Sequence, residues 1–566
     1  MPSVAQNNRS ARAPASGPGP GDRRPAYGQV PGYRRAVTDA PGVPAPDQSE
    51  AADRIAAAYA TDGPAIELGS VVLGGTPHPT AQVRVPLAML NRHGLIAGAT
   101  GTGKTKTLQL IAEQLSAAGV PVVLADLKGD LAGLVRPGEA GDRVTRRATD
   151  TGDPWAPTGF PVEFLALGGL GTGVPVRATI TDFGPVLLSK VLDLNDTQES
   201  SLGLVFHYAD EAGLPLLDLK DLRAVLTWLT SDEGKADLRG LGGLSPATAG
   251  VILRELIALE DLGGDVFFGE PAWEPADLLR QASDGRGVIS AVELGAVQDR
   301  PALFSTFLMW LLAELFEELP EVGDLDRPKL VFFLDEAHLL FTGASKDFLE
   351  AVTQTVRLIR SKGVGVFFVT QNPTDVPSSV LGQLGNRVQH ALRTFTPEDA
   401  DALRKTVRTF PKSTDYDLGE LLPALGTGEA AVTVLSERGA PTPVAWTMLR
   451  APRSWMGTVE EPVRSGIVAA SPLQARYGTS IDRESAYERL AAKLAPEPEP
   501  EPETREPAPR AERTPSRRRS REPEAAEGGV VGAVLGSSAF KSFARSAASA
   551  LGREISRGIF GTRRRR

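Results

Sequence analysis

The sequence predicts an α/β fold: a mostly parallel β-sheet covered by helices on both faces, with a helical insertion and disordered termini. Three observations predict it. Short apolar runs alternate with longer amphipathic segments through residues 63–452, the pattern of right-handed crossovers between parallel strands. Residues 94–107, GLIAGATGTGKTKT, set a glycine cluster between an apolar run and a helical one. Each glycine costs backbone entropy on ordering, so the cluster implies that something approaches the main chain closely. Finally, KLVFFLDEA ends an apolar run in two adjacent carboxylates.

The elements follow in order. Residues 1–46 are rich in Pro, Gly, Ala and Arg, hold few large apolar residues and are expected to be disordered. An α/β domain is expected over 47–452. It opens with a short helix over 48–60, and the alternating IELGSVV and QVRVPL read as strands. HGLIAG is a buried strand, followed by the glycine loop and the helix TLQLIAEQLSAAG, which Gly119 ends. VPVVLAD is the next buried strand. A mostly helical insertion then spans about 135–285. Strand GVISAVEL and helix ALFSTFLMWLLAELFEELPE restore the alternation. Strand KLVFFLDEA, helix KDFLEAVTQTVRLIRSKG and strands GVGVFFVTQ and NRVQHALR continue it, and EAAVTVLSERGAPTPVAWTML reads as a closing hairpin. Beyond it are expected a helical extension over 453–495, an extended Pro/Glu/Arg-rich linker over 496–529, and a basic amphipathic helix over 530–566. In that last segment Phe540, Phe543, Ala547, Leu551, Ile555 and Ile559 recur at helical spacing, with eight Lys/Arg against one acidic residue.

Composition narrows the function classes. The 566 residues are 41% apolar and 23% charged, as in globular proteins. Cys is absent, which excludes disulfides, a thiol nucleophile and a Cys-type zinc site. The five His residues are scattered without metal-ligand spacing. A formal charge of −9 argues against a uniformly basic nucleic-acid coat, though not against a basic channel or tail. The N-terminus has no apolar signal region. The most apolar stretch, 302–316, carries Glu314 and is too short to span a bilayer. A cytoplasmic protein is expected.

Gly98-Ala99-Thr100-Gly101-Thr102-Gly103-Lys104-Thr105 matches the P-loop pattern G-x-x-x-x-G-K-[ST]. A phosphate chain needs many donors at short range, and a side-chain-free backbone at the positive end of a helix supplies them. Lys104 is expected to reach the β and γ phosphates, and the Thr105 hydroxyl to ligate Mg²⁺. Asp335 is expected to hold Mg²⁺ and Glu336 to activate the attacking water, the pleat directing the two to opposite sides of the strand. Gln371 ends the strand after the carboxylates; it reads either as a sensor of the γ phosphate or as a polar cap before Pro373. Arg357 and Arg360, one helical turn apart, read either as a solvated basic helix end or as the source of an arginine supplied to a neighbouring subunit. Asp126, at the end of VPVVLAD, reads as a contact to the metal shell or P-loop or as a plain strand-ending turn. His338 reads as a packed polar residue or a coupling element.

HGLIAGATGTGKT, VLADLKGDLAGL, FFLDEAHLLF, VRLIRSKGVGVFFVTQNPTDVPSSVLGQLGNRVQHALR and GEAAVTVL together resemble the HerA/FtsK superfamily of P-loop motor ATPases, and within it the YjgR family of HerA-like helicases. The resemblance runs over about 63–450 and returns in the last 30 residues. It implies a RecA-like P-loop NTPase fold with an additional strand between the P-loop strand and the carboxylate strand, ATP and Mg²⁺ as cofactors, and a homo-oligomer, often a hexameric ring. It matches Lys104 and Thr105 to the P-loop pair, Asp335 and Glu336 to the metal and water pair, Gln371 to the sensor and Arg360 to the trans arginine. The segment between residue 47 and Gly98 is too short for the N-terminal β-barrel of HerA proper, so DNA-end processing with a nuclease partner is not expected.

The leading expectation is an ATP-hydrolysing, HerA-like motor acting on DNA as a translocase or helicase-like protein; a ring can line its pore with Lys and Arg without an overall basic charge. The alternative, from another class, is a nucleotide-switched scaffold at a membrane. Its basis is the tail over 530–566, whose amphipathic helix and Arg563–Arg566 suit anionic lipid headgroups; the same tail also suits DNA backbone, or a groove on a partner, on a neighbouring subunit or within the molecule.

Overall fold

The central strands are apolar on both faces because both faces are covered. In the computed structural model, which describes residues 48–494 apart from 239–241, 262–263, 299 and 343–345, a 12-stranded sheet runs through the molecule. The segments expected to be disordered (1–46), an extended linker (496–529) and a basic helix (530–566) lie outside the described residues.

The chain opens with α1 (Gln48–Ala57), β1 (Ala65–Leu73), β2 (Thr76–Pro86), β3 (Gly94–Ala97), α2 (Lys104–Ala117) and β4 (Val122–Asp126). Next come α3 (Asp142–Thr151), β5 (Val162–Leu167), β6 (Val174–Val176), α4 (Ile180–Val191), α5 (Asp196–Glu211), α6 (Leu219–Thr230), α7 (Pro246–Asp261) and β7 (Ile289–Glu293). Then follow α8 (Pro301–Glu318), β8 (Leu330–Leu334), α9 (His338–Phe341), α10 (Lys346–Ile359), β9 (Val364–Thr370), α11 (Ser378–Leu381) and β10 (Asn386–Gln389). The last elements are α12 (Pro397–Val407), α13 (Leu418–Ala424), β11 (Glu429–Thr433), β12 (Ala445–Leu449), α14 (Glu461–Ala470), α15 (Gln474–Tyr477) and α16 (Ala486–Leu494).

The strand order is β2-β1-β12-β11-β10-β3-β9-β8-β4-β7-β5-β6. From β10 to β6 all neighbours are parallel, whereas β11, β12, β1 and β2 form an antiparallel flank. β9 lies between β3 and β8, the additional strand that the resemblance implied.

Period-two alternation sorts the side chains into two cores. Leu95, Val123, Phe332, Val366 and Phe368 pack on one side with α4–α8 and α10. Ile96, Val122, Leu124, Phe333, Phe367 and Val369 pack on the other with α1, α2 and the antiparallel flank. The apolar run at 302–316 belongs to α8, whose Phe307, Leu308, Trp310, Leu311, Leu312 and Leu315 are buried. Burial pushes the Glu314 carboxyl well above its usual range. Among the described residues no helix is long and apolar enough to cross a membrane.

One finding departs from the sequence reading. The stretch read as mostly helical also contains β5 and β6, which complete the parallel edge of the sheet. Helices α14–α16 return to the main core: Leu473, Tyr477 and Leu490 join it, and Tyr477 stacks on Trp273 with centroids 4.5 Å apart.

Phe332→Ala empties a fully buried site in the middle of β8 and is expected to cost about 3–5 kcal/mol. Chemical denaturation measures this; a loss below about 1 kcal/mol would contradict the packing described.

Candidate nucleotide-binding and catalytic site

The parallel register brings three segments to one edge. Ala97, the last residue of β3, is paired with Thr370 at the end of β9, and Leu334 at the end of β8 is paired with Phe368. Beyond the strands, the Gly98 amide donates to the Thr370 carbonyl (3.2 Å) and the Ala337 amide to the Val369 carbonyl (2.9 Å). The P-loop and the acidic pair are thus tied to the same strand end. Ligands of open parallel sheets sit at this carboxyl edge.

Glycine is required in the loop for two reasons. Gly98 has φ +152°, and a Cβ there would lie 2.5 Å from the Cβ of His390. Gly101 has φ +78° with open space where its Cβ would stand, which leaves a cradle beside the main chain. Gly103 (φ 115°) caps α2. Thr107 donates to the Gly103 carbonyl at 3.0 Å, so the amides of Lys104, Thr105 and Lys106 are the donors a helix start leaves over. The Lys104 ammonium donates to the Gly98 carbonyl (2.7 Å) and the Ala99 carbonyl (3.3 Å). Burial lowers its pKa, while the charges of Glu336 and Asp335 raise it; the lysine therefore stands within the field of the acidic pair. Thr100, Gly101 and Thr102 form the turn between Ala99 and the cap, with the Thr102 hydroxyl donating back to the Ala99 carbonyl at 2.7 Å. Thr105 is half-buried in the first turn of α2.

β8 stops at Leu334, so strand alternation does not orient the two acids. That corrects the expectation that the pleat points them apart. Glu336 instead adopts φ +48°, a left-handed conformation uncommon outside glycine. Its amide donates to Asp335 Oδ1 at 2.9 Å. Burial raises the Asp335 carboxyl from 3.8 to about 6, against the lowering effect of that hydrogen bond. Glu336 Oε1 accepts from the Lys128 ammonium at 2.9 Å. Oε2 lies 3.4 Å from His338 Nδ1 but has no hydrogen-bond partner among the described residues.

The remaining sequence candidates divide. Gln371 is exposed at the end of β9, beside the site. The turn before Pro373 is closed by Asp375, which accepts from the Thr370 hydroxyl (2.8 Å) and the Asn372 amide (3.0 Å), so capping is not Gln371's task. Asp126 is taken up by its own turn: its carboxylate accepts the amides of Lys128 (3.2 Å), Gly129 (2.8 Å) and Leu131 (3.0 Å). Arg357 bonds Gln354 at 2.9 Å. Arg360 is exposed and precedes β9, which puts it at the opposite edge, about 20 Å from the P-loop at the usual rise per residue.

Three residues of the site were not singled out from sequence. Lys128 pairs with Glu336, though it stood within the quoted DLKGD. His390 lies beneath the loop, its Nε2 2.9 Å from the Thr107 hydroxyl; burial and the Lys104 charge lower it to about 4, so it is neutral. Arg147 donates to the carbonyls of Gly428 (3.0 Å) and Thr427 (3.2 Å), and the Gly428 amide donates to the Thr102 carbonyl at 2.9 Å. The glycine-rich sequence around 428 was the available signal for that buttress.

The sequence model of the helicase HerA-like C-terminal family matches residues 73–566. The probable helicase MJECL08 of Methanocaldococcus jannaschii is 30% identical over 151 residues, 25% of this chain and 28% of that protein; the match spans little more than a quarter of the relative's length. Among solved structures, the bacterial conjugative coupling protein TrwB is similar over 72% of this chain and 94% of that one, at 16% identity and a TM-score of 0.46. TrwB in complex with ADP and Mg²⁺ gives 0.45, at 16% identity over 72% of this chain and 95% of that one. VirB4 of Thermoanaerobacter pseudethanolicus gives 0.42, at 17% identity over 71% and 99% of the two chains.

Asp335 also yields a test independent of any ligand. Its folded value of about 6 exceeds the ordinary 3.8, so the folded state favours the protonated form. The contribution is full below pH 3.8 and is lost as pH rises through 6, where the ionised group costs at most about 3 kcal/mol. Asp335→Asn is therefore expected to melt above the wild type at pH 8 in EDTA, with the gap closing towards pH 4. A gap of the same size at both pH values would contradict the assignment.

Proposed function

The chain belongs to the HerA-like helicase C-terminal family, and on that premise we propose that it is an ATP-hydrolysing motor that works as a ring of copies and translocates DNA. The observation that carries this reading is the convergence of the P-loop and the Asp335–Glu336 pair on the end of β9. The loop amides and the start of α2 would bind the triphosphate, with Lys104 moving from the loop carbonyls to the β and γ phosphates. Among the described residues no three His, Asp or Glu side chains are grouped to hold a metal. Thr105 and Asp335 fit instead an ion completed by phosphate oxygens and water, as Mg²⁺ commonly is. When bound, Mg²⁺ supplies charge neutralisation on the phosphates. Glu336 would accept the proton of the attacking water, with Oε2 the oxygen left over for it. Gln371, exposed beside that position, would sense the γ phosphate. Arg360 would serve the site of another copy, because its own lies at the far edge of the sheet. The DNA substrate is supported by the family and by the relative described as a probable helicase.

ATP turnover by the full chain, with and without duplex DNA, single strands and anionic vesicles, tests the reading. Lys104→Ala is expected to abolish nucleotide binding or turnover. Glu336→Gln is expected to bind ATP while turnover falls by about 10²–10⁴-fold. Stimulation by DNA, weakened by salt, is the expected response; stimulation by vesicles alone would favour the membrane scaffold. Arg360→Ala should bind ATP without turning it over, and an equimolar mixture with Lys104→Ala should regain part of the activity. Full activity of Arg360→Ala alone would remove the trans role.

A further inference from the structure

We propose that Lys128 is a positioning residue for Glu336, fixing the carboxylate so that one oxygen faces the hydrolytic water; this rests on Glu336 being the water-activating base. Lys128 lies in the loop after β4, and β4 is the neighbour of β8 in the sheet. The loop is itself fixed. The Asp126 carboxylate gathers the amides of Lys128, Gly129 and Leu131, and Gly129 turns the chain at φ +70°. The outcome is an ammonium 2.9 Å from Glu336 Oε1.

Asymmetry makes this more than a surface ion pair. The Glu336 side chain is 10% exposed and that of Lys128 is 55% exposed. The largely exposed ammonium is screened by solvent, and among the described residues its side chain makes no other hydrogen bond or ion pair. The carboxylate, by contrast, is directed by the left-handed backbone at Glu336 and by the ammonium on Oε1, with His338 Nδ1 3.4 Å from Oε2 on its other side. Oε2 is buried, near His338, and has no hydrogen-bond partner among the described residues. A base needs one atom held and the other free for the proton it takes, the role a third group plays in orienting many catalytic bases. Asp126, Lys128 and Glu336 thus form a relay of position from one strand end to the next.

The test uses the full chain with Mg²⁺ and ATP, comparing Lys128→Ala, Lys128→Arg, Glu336→Gln and the Lys128→Ala/Glu336→Gln double variant. Lys128→Ala is expected to lower kcat about 10–100-fold, the scale of a misplaced catalytic group, with KM and melting temperature unchanged. Lys128→Arg is expected to recover most of the loss. In the Glu336→Gln background, Lys128→Ala is expected to add nothing, because residues that act as a unit are non-additive. An unchanged or raised kcat in Lys128→Ala, with Glu336→Gln inactive, overturns the positioning role alone. So does a raised KM at constant kcat, which would place Lys128 on the nucleotide. Full turnover in Glu336→Gln overturns the base assignment and this inference with it.

Discussion

The register of β3, β9 and β8 is the constraint on which the site depends. Neither the glycine loop nor the acidic pair has a functional geometry by itself. The loop gains one because Gly98 and Ala99 are pinned to Thr370 and Ala391, and the acids gain one because Ala337 is pinned to Val369. A slip of one residue in either pairing would exchange the two faces of the strand concerned and move Leu95, Phe332 or Phe368 out of its core. The apolar packing that stabilises the sheet is therefore the same packing that sets the separation of the phosphate loop from the acids.

Charge at this edge is held under tension. Burial acts against both the Lys104 ammonium and the Asp335 carboxylate; the charges of Glu336 and Asp335 partly offset it for the lysine, and the Glu336 amide and the Lys128 charge partly offset it for Asp335. His390, directly beneath, is kept neutral by burial and by Lys104, so it adds no positive charge below the loop. Such sites keep their ionised groups at a cost to the folded state, and a polyanion with its counter-ion relieves that cost. The strained backbone at Glu336 belongs to the same pattern, since unusual conformations persist where the surroundings over-determine them.

Much of this was legible in the chain because the rules involved are local. A loop that must admit phosphate needs residues without side chains, and glycine announces that need. Buried parallel strands announce themselves as apolar runs between helices. What escaped was non-local or too short. β5 is a brief apolar run that periodicity alone does not separate from a helix. β6 contains Pro175, which argues against a strand except at an edge, and the edge is where β6 lies. The directions of Asp335 and Glu336 were misread because alternation was extended past the last strand residue. Lys128 and Arg147 were in plain view, but their partners lie 208 and 281 residues away, and only the strand order brings them together.

The position of Arg360 bears on symmetry. The sheet has one pole where the P-loop lies and an opposite pole where β9 begins. A contact that carries Arg360 of one copy to the P-loop of the next joins unlike poles and is heterologous. Two copies related by a two-fold axis would present the same patch to each other. An assembly built on this arginine accordingly has a direction: it closes into a cycle or continues as a filament, and every nucleotide within it is bounded by two different chains.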